Sequence, residues 1–255
     1  MRMAILWPND HILYSYYNSY IPLKERVVED YSNPEVVLIL DIIDSIRPGS
    51  PHLEEFRRLK SQGTKFIAFA MDPGHFSTME SFHKDIGIDH YFVTDARFVE
   101  RFSYTSCSHI EFNVDPLSIP EKLPQKEKYA CYYGHLNWAR VLPPYVDRLE
   151  IKSRQELMRE VSKYKFGFVF DSGADETGNG MCNYNKGKYV EYLSAGVIPV
   201  VQPAIVSHRY GKYFVKMSEF NEEKEYMGVD MREIRSLNND TLTEILAKCE
   251  QVLRA

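Results

Sequence analysis

The chain has 255 residues, 44% of them hydrophobic, enough for the core of one large domain or two ordinary ones, so disorder is not the default. A net charge of −5 carries no basic excess and argues against a strongly nucleic-acid-binding domain, a local basic patch aside. The four cysteines, Cys107, Cys131, Cys182 and Cys249, form no Cys-x-x-Cys pair, which sets aside a structural zinc site and a disulfide framework and points to reduced thiols in a cytoplasmic protein.

In chain order, the opening Met1-Arg-Met-Ala-Ile-Leu-Trp-Pro8 reads as a short strand, too brief for a signal peptide. No run approaches the roughly 18 apolar residues of a spanning helix, so no transmembrane segment is expected, while peripheral membrane contact stays open. Apolar runs without clean alternation fall at 3–7, 36–40, 66–70, 91–93, 130–133, 166–170 and 197–201, the pattern of strands buried on both faces of parallel sheets. Helical patterns lie between them. Residues 51–61 carry Leu53, Phe56 and Leu59 on one face, with Gly63 as the stop. Residues 153–164 carry Leu157 and Val161, with Ser153 and Glu156 as a capping pair. Residues 239–254 repeat Leu242, Ile245, Leu246, Cys249 and Leu253 on one face. Alternating strand and helix predicts an α/β fold. Residues 114–128, with three prolines and several charges, read as a linker, which gives domains at 1–120 and 121–255 with no sequence repeat between them.

Residues 183–203 concentrate the chemistry. They read as a polar loop, a short helix, a glycine stop at Gly196 and a buried strand. Lys186 and Lys188 sit where the helix begins, and Glu191 follows about one turn later. Positive charge and free N–H groups at a helix start suit a diphosphate, and a carboxylate beside them suits a sugar diol. There is no phosphate-binding Gly-x-x-x-x-Gly-Lys-Ser/Thr, no His-Glu-x-x-His, no Gly-x-Ser-x-Gly and no Asp-x-Asp. Gly178-Asn-Gly180 lacks the third glycine of a dinucleotide fingerprint, because Asn183 stands there.

Lys188-Tyr-Val-Glu-Tyr-Leu-Ser-Ala-Gly-Val-Ile-Pro-Val-Val201 is similar to the Lys-x-x-Glu-Tyr-Leu-x-x-Gly-x-Pro-Val-Val motif of the nucleotide-sugar domain of GT-B-fold glycosyltransferases, with one extra residue between Gly196 and Pro199. Tyr132-Tyr-Gly-His-Leu-Asn-Trp-Ala-Arg140 resembles that domain's first strand and loop, and residues 154–170 resemble the helix and strand before its donor site. The N-terminal half resembles the family in layout alone. The resemblance implies two Rossmann-like domains facing each other across a cleft, with acceptor binding in the first and nucleotide-sugar binding in the second. It implies a transferase that needs no metal and no cofactor, with a nucleoside diphosphate sugar as donor and an acceptor of unread class (saccharide, glycolipid or modified nucleobase).

On this reading Gly134, Arg140, Asn183, Asn185, Lys186, Lys188 and Glu191 are the donor-binding residues. The lysines and Arg140 would balance charge growing on the leaving diphosphate, and Glu191 would accept from a ribose diol. For each cation the plain alternative is a solvated surface charge, and for Glu191 an exposed helix carboxylate. Asn183 stands where many retaining members carry a second glutamate, so retaining and inverting transfer both stay open. Asp72 and His75, beyond the 66–70 strand, are the candidate general bases, with His11 as a rival and a plain Asp-Pro-Gly turn as the alternative. A non-catalytic nucleotide- or sugar-binding protein of the same fold is the other reading.

Overall fold

The computed structural model of the chain describes residues 1–6, 20–40, 52–70, 76–111, 113, 123–133, 142–150, 154–170, 188–202, 205 and 207–255. They form two compact units. One comprises the described residues up to Glu111 together with Asp240–Ala255, and the other runs from 113 to Asn239. The chain therefore does not divide between its units at a single cut.

The first unit is built on β1 (Arg2–Leu6), β2 (Val28–Glu29), β3 (Val36–Ile39), β4 (Lys65–Ala70), β5 (His90–Val93) and β6 (Ser106–His109), all parallel, in the order β2-β1-β3-β4-β5-β6. Helices α1 (His52–Ser61) and α2 (Phe76–Ile86) lie on one face, where Phe56, Leu59, Met79, Phe82 and Ile86 meet Val37, Ile39, Phe66, Ala68, Tyr91 and Val93. On the other face Phe69 and Phe92 lie ring to ring at 5.0 Å, and Tyr20 lies on Phe69 at 5.1 Å.

The second unit contains β7 (Lys128–Tyr133), β8 (Val146–Leu149), β9 (Tyr164–Val169), β10 (Ile198–Val201) and β11 (Val215–Lys216), parallel, in the order β11-β10-β9-β7-β8. Its helices are α3 (Arg154–Val161), α4 (Lys188–Ser194) and α5 (Met231–Arg254), the last of which contributes its second half to the first unit. Counted from β7, the strand order is 5-4-3-1-2. The first five strands of the other sheet follow the same plan, 2-1-3-4-5, so the two Rossmann-like sheets share one topology. In this plan the strand order reverses between β1 and β3, and again between β7 and β9. Ligands of open α/β sheets gather beyond the strand C-termini at such points.

Over its described residues, each of the seven apolar runs coincides with a strand. The strands not anticipated, β2, β6, β8 and β11, are the sheet edges, which are short or polar. The polar composition of β6 has a specific cause. Ser106 and Ser108 place their hydroxyls 2.8 and 2.9 Å from the two ring nitrogens of His90, which is fully buried. Burial, helped by the charge of Lys248, pushes the His90 pKa down to about 4. The unfolded chain thus takes up a proton near pH 6.5 that the folded chain refuses until about pH 4, so stability is lost as pH falls through that window. Chemical denaturation should show a loss approaching about 3 kcal/mol between those pH values, and His90→Gln should flatten it.

Helix α5 begins at Met231, ahead of the expected 239, because Asp230 caps it by accepting from the backbone N–H groups of Arg232 (2.9 Å) and Glu233 (3.4 Å). The end of the expected linker is also structured. Lys126 Nζ donates to the carbonyls of Ser162 (2.8 Å) and Ala195 (3.0 Å), satisfying acceptors at the ends of α3 and α4. Pro199, which has no backbone N–H to give, nonetheless lies in regular β10 opposite Gly167. Gln202 N–H bonds Val169 O, so by alternation Pro199 faces β11, whose pairing begins only at Val200, and no β9 hydrogen bond is lost.

Candidate functional site

Lys188–Ser194 is helical, Gly196 ends the helix, and β10 follows, as the sequence pattern anticipates. Gly196 has φ +66°, the left-handed region that a Cβ disfavours, and a Cβ there would meet the Leu123 side chain at 2.4 Å. Two turns of helix are not stable alone, and α4 is held by its neighbours. Tyr189, Val190, Glu191, Tyr192, Leu193 and Ser194 are all buried. The Tyr189 ring lies 5.0 Å from that of Phe214. Tyr192 lies across β9 where Gly167 has no side chain, and its hydroxyl donates to Phe168 O at 3.3 Å.

The burial of α4 on both faces carries Glu191 inside, at 9% exposure, and overturns the alternative of an exposed helix carboxylate. A buried carboxylate needs donors. The hydroxyl of Tyr133, the last residue of β7, donates to Glu191 Oε2. Lys188 lies one turn before Glu191 and is half-buried, so a fully solvated charge is overturned as well. Its Nζ lies 5.3 Å from the Tyr132 ring centroid and 5.1 Å from that of Tyr133, within cation–π range of both. Consecutive strand residues point to opposite faces, so an ammonium near both rings sits beyond the end of the strand. Burial lowers the Lys188 pKa while the charge of Glu191 raises it. Burial wins, leaving the group at about 8 against an ordinary 10.5.

The end of β7 therefore carries a cation and a carboxylate at the point where the strand order reverses. The ammonium suits an anionic group, and the carboxylate suits a pair of hydroxyls.

The chain matches no family model, no curated protein and no solved structure. Its fold is α/β, with two parallel Rossmann-like sheets.

Of the site residues expected from sequence, the structure brings Lys188 and Glu191 together around Tyr133. Asp72, His75, Gly134, Arg140, Asn183, Asn185 and Lys186 lie outside the described residues, as does His11. Among the described residues no cluster of three or more His, Cys, Asp or Glu could hold a metal ion, and no helix is long and apolar enough to cross a membrane. Tyr133 and Gly167 were not anticipated as parts of the site. Gly167 left a signal, since a glycine inside the run Phe166-Gly-Phe168 marks a place where something approaches the backbone closely. Tyr133 left none, because its partner is 58 residues away.

Proposed function

We propose that the second unit binds a nucleoside diphosphate sugar and that the chain is a GT-B-type glycosyltransferase working without a metal. The convergence of Lys188 and Glu191 on the C-terminal end of β7, at the reversal of strand order, carries this reading. Helix α4 has only two turns, so its dipole is a minor source of positive charge and Lys188 is the main one among the described residues. The cost of burying that ammonium outweighs the attraction of Glu191, and a diphosphate alongside it would offset the cost. Glu191 accepts from the ribose diol. As the bond to the sugar breaks, negative charge grows on the departing diphosphate, and Lys188 favours that state over the ground state.

Titration calorimetry with uridine, guanosine, adenosine and cytidine diphosphates should find at least one ligand with a Kd below about 1 mM. The matching nucleotide sugar should then be turned over, by water if no acceptor is supplied. Failure of every diphosphate to bind at millimolar concentration rejects the reading. Binding with no turnover, across a panel of saccharide, glycolipid and nucleobase acceptors, leaves the non-catalytic binding protein.

A further inference from the structure

We infer that Tyr133 is a positioning residue, whose phenol fixes the Glu191 carboxylate for bidentate recognition of a vicinal diol. The inference rests on the donor-site reading above and adds to it a residue with a separable role. A vicinal diol offers two donors close together. One carboxylate takes both only if its plane is correctly turned, since hydrogen bonds weaken steeply with misalignment. Among the described residues, Tyr133 and Lys188 act on Glu191. Lys188 attracts it as a charge, which depends on distance and imposes little direction. The phenol acts along a single O–H direction, and that direction is fixed. Tyr133 is 3% exposed, its ring meets the Tyr192 ring at 5.2 Å and 64°, and Lys188 Nζ lies over its face. Tyr192 in turn is anchored by its hydroxyl to Phe168 O. Among the described residues, the carboxylate's orientation is thus set from the sheet, through two rings packed edge to face, and not by α4 alone. A phenol occupies one of about four acceptor directions on a carboxylate, so the arrangement is compatible with further donors.

The test compares a nucleoside diphosphate with its 2′,3′-dideoxy counterpart, using uridine and guanosine diphosphates as probes on the full chain. Wild type is expected to favour the ribose form by roughly tenfold or more, the scale of hydrogen bonds to a charged group. Tyr133→Phe, which keeps the ring on Tyr192, should reduce that preference to about threefold or less while affinity for the dideoxy form stays within about twofold. Glu191→Gln should also lose the preference, and thermal melts report whether each variant is folded. If Tyr133→Phe keeps the full preference while Glu191→Gln abolishes it, the role of Tyr133 is overturned and the donor site stands. Equal weakening of both ligands reduces Tyr133 to a packing residue and overturns the inference. No ribose preference in wild type, or no binding at all, overturns the diol role of Glu191 together with this inference.

Discussion

Gly167→Ala is expected to destabilise the second unit by about 3 kcal/mol, at the upper end of what overpacking costs in a close-packed core. A Cβ at that position would lie 2.3 Å from the Tyr192 ring, with two more ring atoms at 2.4 and 2.5 Å. The obstacle is a rigid aromatic ring, fully buried, packed edge to face against Tyr133 and tied by its hydroxyl to Phe168 O, so no flexible tip can yield. Relief requires α4 to lift from β9, and Tyr133 and Glu191 lie along the same contact. Denaturant unfolding of Gly167→Ala, Tyr192→Leu and the double variant measures the coupling. The alanine should cost far less in the Tyr192→Leu background. A cost that is the same in both backgrounds places the strain elsewhere and rejects the explanation.

Lys188→Met is expected to weaken nucleoside diphosphate binding by roughly 30- to 150-fold, equivalent to the loss of about 2–3 kcal/mol from a charged contact in a partly desolvated place. Stability should move the other way. With its folded pKa at about 8 against 10.5, the folded chain sheds a proton before the unfolded chain does. Stability contributed by this group therefore rises with pH between those two values, and below pH 8 the folded state bears the cost of holding a buried charge. Binding has the opposite trend: from pH 7 to pH 9 the ammonium is lost and Kd should climb. Lys188→Arg, which keeps its charge to far higher pH, should bind with a nearly flat profile over that range. A wild-type profile as flat as that of Lys188→Arg would show that Lys188 carries no part of the anion's binding.

The parts of the fold legible in the sequence were those where local composition and burial agree. Val36–Ile39 and Ile198–Val201 are apolar throughout because both faces of a parallel strand are covered, and they are recognisable without any partner. Ser106–His109 was not legible, because its serines answer to a histidine on the neighbouring strand. Lys126 lay in a segment read as a linker because its partners are the carbonyls of two helices that follow much later. At the site, Lys188 and Glu191 could be found because their spacing on one helix is local. Tyr133 depends on the register of β7 against α4, and the shared 2-1-3-4-5 plan depends on which strands pair. Neither leaves a trace in periodicity.

The first unit is discontinuous along the chain, and this bears on the order of events during synthesis. Its strands are all complete by His109, yet the stretch from Asp240 that belongs with them is made only after the whole second unit. Residues Glu244, Ala247 and Lys248 of that stretch line a groove with Phe92, Ser108 and Ile110. At about 5–20 residues per second, ribosomes leave that side of the sheet without its helix for roughly ten seconds. Over that interval the groove that Phe92 and Ile110 line would lack its helical wall, and the nascent chain would complete its first unit only after its second.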